Sequence, residues 1–301
     1  MKILLLGKNG QVGWELQRSL SELGELVSLG RNADQNPGGL CGDLSNLEGI
    51  ASTIKEVRPD AVVNAAAFTA VDQAESHVDT AFLINAEAPG RIARECNMLG
   101  AWLVHFSTDY VFDGKSENPL RENDATNPLS VYGQSKLDGE AAIEAVTDRH
   151  VILRTSWVYG VHGQNFIKTI MRLAKERETL SIVDDQWGAP TGAELLADVA
   201  AQIIPQFAKS DGKAGLYHCS ASGTINWHGY ARFIIETALE NGLSFKTAPD
   251  AIKAIPTSQY KTAATRPSNS RLNCAKIEQA FSLKLPPWQS GVARVIAEIS
   301  A

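Results

Sequence analysis

The chain begins KILLLGKNGQVGWELQRSLSEL: an apolar run, glycines at 7, 10 and 13, then an amphipathic stretch. No other feature restricts the fold as strongly. A buried strand turning through glycines into a helix is the first unit of a parallel βα sheet, because parallel strands need a crossover between them. Short apolar runs then alternate with helical ones. ELVSL, DAVVNAAA, AWLVHFST and HVILRTSWVYG read as strands two to five, and NLEGIASTIKEVRP as a helix ending before Pro59. Residues 78–98 read as a long helical stretch with Pro89 inside it, which predicts a kink or a break. Residues 109–130, DYVFDGKSENPLRENDATNPLS, are polar and turn-rich and read as a long loop, the kind that in compact domains often serves function.

The second half is less regular. Helices are expected near 164–178, from about 193 to 208 and over NWHGYARFIIETALENG, with LSIV and GLYHCS as strands and two short helical pieces after RPSNSRLN. The fold class is therefore α/β, a Rossmann-like doubly wound parallel sheet with a smaller C-terminal substrate-binding region. The expected division is a dinucleotide-binding domain over 1–160 with a return around 193–220, and a substrate-binding region over 161–192 and 221–301.

Composition narrows the function. A net charge of −6 offers no basic surplus for nucleic acid or an anionic membrane. Cysteines at 41, 96, 219 and 274 are too far apart for a CxxC redox or zinc motif, and the six histidines form no HExxH pair. They read as reduced thiols. The apolar stretch from Ile3 to Leu6 is too short for a signal peptide or a membrane span, so a cytoplasmic protein is expected.

Between strand one and helix one, Gly7, Gly10, Gln11, Val12 and Gly13 form a turn that admits a pyrophosphate onto the helix N-terminus. The spacing is GxxGxxG rather than GxGxxG, and plain packing is the competing role. At the end of strand two, where NAD-binding folds keep an acid, stand Gly30 and Arg31. An arginine there suits a 2′-phosphate and favours NADPH over NADH; a solvated turn arginine is the alternative. Asp43 and Leu44 are candidates for the adenine side, against an N-cap role. The small residues Ala65, Ala66 and Ala67, with Thr69, would let a ligand lie flat on the strand ends, and an alanine-rich core turn is the plainer account. Ser107, Thr108 and Asp109 emerge where strand four meets the long loop.

VYGQSK then places Tyr132 and Lys136 four residues apart, on one face if the segment is helical. In carbonyl reduction a tyrosine donates a proton to the developing alkoxide as a hydride arrives from a nicotinamide. An adjacent ammonium is expected to lower the phenol's pKa from near 10. Thr108 is placed to bond the same oxygen, and Lys136 to hold the nicotinamide ribose.

GKNGQVGWELQRSL, VVNAAAFTAVDQAES, STDYVFDG, NPLSVYGQSKLDGE, RTSWVYG, NFIKTIMRLAKER, DDQWGAPTGAELLAD and RPSNSRLN together resemble the extended short-chain dehydrogenase/reductase family, essentially end to end. The resemblance implies NAD(P)H-dependent reduction of the C4 keto group of dTDP-4-dehydro-L-rhamnose to dTDP-L-rhamnose. By position it makes Thr108, Tyr132 and Lys136 catalytic. It assigns Gly10, Gln11 and Val12, Asp43 and Leu44, and Ala67 to Thr69 to the cofactor, and Trp157, Arg266 and Arg271 to the dTDP-sugar; the residues themselves add Arg31, Ala65 and Ala66 to the first set and Thr69, Thr108 and Asp109 to the second. It also implies a homodimer joined through a magnesium ion at Glu15 and Glu194. Gly30 and Arg31 depart from members that carry an acid, and Trp187 stands where tyrosine is expected. Two rivals remain: an epimerase or dehydratase on the same fold, for which Asp109 followed by Tyr110 is an incomplete acid pair, and a noncatalytic regulatory subunit of the methionine adenosyltransferase type.

Overall fold

A computed structural model describes residues 1–207 and 213–300. Six strands, β1 (Lys2–Leu6), β2 (Glu25–Leu29), β3 (Ala61–Asn64), β4 (Trp102–Thr108), β5 (His150–Thr155) and β6 (Gly215–His218), form one sheet in the order β2-β1-β3-β4-β5-β6. All neighbours run parallel. The helices are α1 (Gln11–Ser21), α2 (Leu47–Val57), α3 (Ala88–Leu99), α4 (Val131–Glu144), α5 (Phe166–Glu176), α6 (Ala193–Phe207), α7 (Trp227–Glu240), α8 (Ala275–Phe281) and α9 (Trp288–Ser300). Position 208, the expected end of α6, lies outside the described residues.

Alternation along KILLL explains the layering. Ile3 and Leu5 pack with Leu16 and Leu20 of α1 and Leu196 and Ile203 of α6, whereas Leu4 and Leu6 face Ile50 and Ile54 of α2, Ile92 of α3 and Ile143 of α4. Both faces are covered, as an all-parallel sheet requires. Strand order reverses between β1 and β3, and such a reversal opens a ligand crevice at the carboxyl ends of the strands.

A second core gathers Ile167, Ile170, Tyr230, Ile234, Trp288 and Val292 from α5, α7 and α9. Beside it LSIV pairs in parallel with Ile252–Ile255, a strand that the sequence reading did not anticipate. The chain then returns along the long loop, where Leu120 N donates to Arg271 O and Asn273 N to Leu120 O, each at 2.7 Å.

Three elements differ from expectation. HVILRTSWVYG is not one strand: β5 stops at Thr155, Trp157 takes a φ of 50°, and Val158–Tyr159 pairs with Thr191–Gly192 in a separate ribbon. Trp157 is held there by its stack on Trp227, with centroids 3.6 Å apart, and a side chain at Gly188 would meet its ring at 2.6 Å. DAVVNAAA pairs only as far as Asn64, whose Oδ1 then accepts from Ala66 N and turns the chain out of the sheet. Around Pro89 the irregularity falls just before the proline rather than at it. A π-turn over Leu83–Glu87 precedes α3, and Pro89 sits in its first turn, where a missing N–H costs little.

Candidate active site

Gly7 and Gly13 have structural reasons for being glycine. Gly7 has a φ of 92°, and a Cβ there would lie 2.7 Å from Ala66 N; one on Gly13 would lie 2.0 Å from Gly7 O. Gly10 differs, since a Cβ would meet only Gly7 O at an ordinary 3.5 Å. It caps α1 without a side-chain hydrogen bond, and the first turn of α1 holds no acid. The amides at Gln11, Val12 and Gly13 are the orphan donors of a helix start, suited to an anion.

At the end of β2, Arg31 is exposed and its Nε lies 3.6 Å from Asp43 Oδ1. Asp43 also accepts from Ser45 N and Oγ. Leu44 is buried in the core beneath α2. Lys8, which the sequence reading passed over, donates through Nζ to Gln35 O at 3.0 Å, and its Cε would lie 3.4 Å from an added side chain at Gly30, with Asn9 Nδ2 nearer at 2.7 Å. The corner therefore gathers Arg31 and Lys8 with Asp43, and Asp34 lies in the short helix whose Gln35 carbonyl Lys8 holds.

The loop after β3 carries Ala65, Ala66 and Ala67, half-buried, and Thr69, exposed. Ala65 N donates to Leu6 O, which seats the loop against β1. Asn85, buried in the π-turn, accepts from Phe68 N at 2.8 Å and donates to Phe68 O and Ser135 Oγ, both at 3.0 Å. It ties this loop to α4.

Thr108 ends β4. Its Oγ1 donates to Asp109 Oδ1 at 3.1 Å and accepts from Tyr110 N at 3.2 Å, and it stands beside the Tyr132 phenol. Ser130 caps α4 by accepting from Gly133 N, and a Cβ on Gly133 would strike Tyr110 O at 2.3 Å, so the helix start lies hard against the strand end. Burial pushes the Tyr132 phenol up to about 12, against the Thr108 hydrogen bond. The expected lowering by Lys136 does not occur because its Nζ is turned into the sheet: it donates to Phe106 O at 2.6 Å and lies 3.1 Å from His105 Nε2. Burial lowers the lysine itself to about 8, against the nearby Glu140 carboxylate. Burial raises the Asp109 carboxyl to about 6, opposed by hydrogen bonds from Ser270 and Thr108.

Below this cluster Glu140 accepts from Ser107 Oγ at 2.5 Å and from Arg154 Nε and Nη2 at 2.9 and 2.6 Å, all three residues being buried. None of His105, Asn64, Asn85, Glu140 or Arg154 was singled out from sequence. The available signal was polar side chains inside otherwise apolar runs, the informative exception to burial rules.

Arg266 forms a two-pronged pair with Asp72, Nη2 to Oδ2 at 2.6 Å and Nη1 to Oδ1 at 3.2 Å. Burial works against its charge, and the Asp72 carboxylate holds it. Arg271 donates to Asn269 Oδ1 and Glu117 O, binding its own segment to the long loop. Trp187 is exposed; its N donates to Ser268 O and its O accepts from Ser270 N. Glu15 and Glu194 lie elsewhere, lining a cavity of about 310 Å³ with Asp198, Arg294, Tyr159 and Trp288. Glu194 is ion-paired with Arg294. Among the described residues no group of three or more histidines, cysteines or acids is close enough to hold a metal. A pair of carboxylates, each already facing an arginine, falls well short of the octahedral oxygen shell magnesium demands. The single chain does not fit that ion.

A parallel sheet whose switch-point crevice has an open glycine turn on one side and a helix carrying half-buried Tyr132 and buried Lys136 on the other defines a nucleotide-dependent oxidoreductase of the Rossmann class. All 301 residues match the family model described as the RmlD substrate binding domain, and the chain belongs to that family. It is 52% identical over 299 residues to the dTDP-4-dehydrorhamnose reductase of Shigella flexneri, covering 99% of this chain and 98% of that one. The Escherichia coli K12 reductase of the same name gives the same identity and coverage. A dTDP-4-dehydrorhamnose reductase structure from Clostridium acetobutylicum superposes with a TM-score of 0.89 at 32% identity over the whole of both chains. One from Bacillus anthracis, in complex with NADP, does so with 0.86 at 32% identity and 99% coverage of each.

Proposed function

We propose that this chain reduces the C4 keto group of dTDP-4-dehydro-L-rhamnose to dTDP-L-rhamnose with a nicotinamide cofactor, NADPH in preference to NADH. One observation carries it: Tyr132 of α4 stands beside Thr108 at the carboxyl end of β4, one strand from the switch point that the glycine turn borders. The cofactor, when bound, supplies the hydride. The chain's own work is binding and proton placement. Gly10 leaves room for a pyrophosphate against the amides of Gln11 to Gly13, and Ala65 to Thr69 form the floor. A phenol held near 12 stays protonated at neutral pH, so Tyr132 carries the proton that the C4 oxygen needs as it gains charge. Thr108 stands beside that phenol, and Lys136, whose Nζ here points into the sheet, would turn outward from Phe106 O and His105 to hold the nicotinamide ribose.

Arg31 and Lys8 beside Gly30 support the NADPH preference, since two cations at this corner suit a 2′-phosphate. Asp43 and Leu44 take the adenine side. Asp109, Trp157, Arg266 and Arg271 contact the dTDP-sugar, with residues 161–192 and 221–301 forming its side of the site and residues 1–160 with 193–220 the cofactor's. Free thiols at all four cysteines support a reducing, cytoplasmic setting. Among the described residues no helix is long and apolar enough to cross a membrane. A homodimer would bury the face that holds Glu15 and Glu194. The test is loss of reduced-nicotinamide absorbance with dTDP-4-dehydro-L-rhamnose generated in situ, NADPH and NADH offered in parallel. Oxidation with NADPH favoured is expected; folded protein that oxidises neither overturns the reading.

A further inference from the structure

Ala66 N can only donate, and it lies 3.1 Å from one side-chain atom of Asn64, which must therefore be the oxygen. The Asn64 amide nitrogen then faces His105 Nδ1 at 3.1 Å and donates to it. A neutral imidazole has one N–H, so Nδ1 as acceptor puts the proton on Nε2. That Nε2 lies 3.1 Å from Lys136 Nζ, which must supply a lone pair to receive it. Lys136 also donates to Phe106 O. Asn64, His105 and Lys136 are each buried to about 1% exposure, so no water substitutes for a mismatched partner.

The geometry points to His105 as a positioning residue that couples the charge of Lys136 to the Ala66 amide on the loop after β3. In the arrangement described, the amine is neutral and accepts from His105. Adding a proton to Lys136 makes it a donor towards Nε2, moves the imidazole proton to Nδ1, turns the Asn64 oxygen towards the ring, and frees Ala66 N–H. Protonated or not, Lys136 keeps one N–H beyond those spent on His105 and Phe106. Only the ammonium form presents it with a charge.

The groups facing Lys136 agree with a switch near neutral pH. These are Glu140 on α4 and His105 on β4, while Arg154 of β5 spends its charge on Glu140. The lysine at about 8 has both forms within reach, while burial and the Lys136 charge hold His105 well below its ordinary value and keep it neutral throughout. The inference rests on the reductase reading only for the role it gives Lys136.

The test is NMR on the full ligand-free chain, following the His105 ring nitrogens, the Ala66 amide and Lys136 Cε against pH, with Lys136→Arg to assign the lysine signal. Nε2–H above about pH 8, passing to Nδ1–H below it with Ala66 moving at the same midpoint, is expected. His105→Gln, which keeps a donor beside Nζ, should leave the midpoint near wild type, whereas His105→Phe should shift it by at least about one unit. A single tautomer throughout the lysine titration, or an Ala66 amide indifferent to it, overturns the proposal; the wild-type measurement decides even if the Phe variant does not fold. No substrate or turnover enters, so failure of the reductase reading would be a separate result.

Discussion

The two ends of the crevice handle charge in opposite ways. At the β2 corner Arg31, Lys8 and Asp43 carry charge near solvent, with Arg31 three-quarters exposed. At the β4 end Lys136, Glu140, Arg154 and His105 are almost wholly buried, and each is fixed by named partners. Solvated charges cost little to keep or lose, whereas a buried ion whose partner is removed costs several kcal/mol. Recognition of one phosphate can therefore drift by substitution while the proton-handling end cannot.

Predictions sharpen that contrast in order of size. Tyr132→Phe should lower turnover by roughly 10²–10⁴ with cofactor binding retained, as steady-state rates and cofactor titration would show. Glu140→Ala strands Arg154 and should destabilise the fold by about 3–5 kcal/mol in denaturant melts; a near-neutral result would mean the buried pair is not holding the site. Lys136→Met tests the cost of the buried lysine. Its folded value lies below the unfolded one, so the unfolded chain binds the extra proton between about 8 and 10.5, and stability rises with pH across that window. The variant's stability relative to wild type should therefore fall by on the order of 2–3 kcal/mol from neutral pH to about 10.5. Smallest is Arg31→Ala: KM for NADPH should rise about tenfold, roughly 1.4 kcal/mol, while KM for NADH and the melting point barely move. Equal effects on both cofactors would remove Arg31 from the phosphate.

What was legible from sequence follows the same divide. KILLL with its glycines fixed β1, the turn and α1 because a buried parallel strand has few alternatives, and VYGQSK announced its face through i, i+4 spacing. Less could be read where tertiary contacts decide. The break at Trp157 depends on Trp227 and Gly188, seventy and thirty-one residues away. Ile252–Ile255 is a strand because Leu180–Val183 lies beside it. The direction of Lys136 was misjudged for the same reason, since His105 and the Phe106 carbonyl, not the helix spacing, decide where its amine points.

The most direct test of the central claim follows the hydrogen itself. The chain would be given dTDP-4-dehydro-L-rhamnose and NADPH carrying deuterium at the transferred position. One deuterium at C4 of the product sugar, with one cofactor oxidised per turnover, is predicted. Cofactor oxidation without label at C4, or no oxidation by folded protein that binds NADPH, would contradict the account.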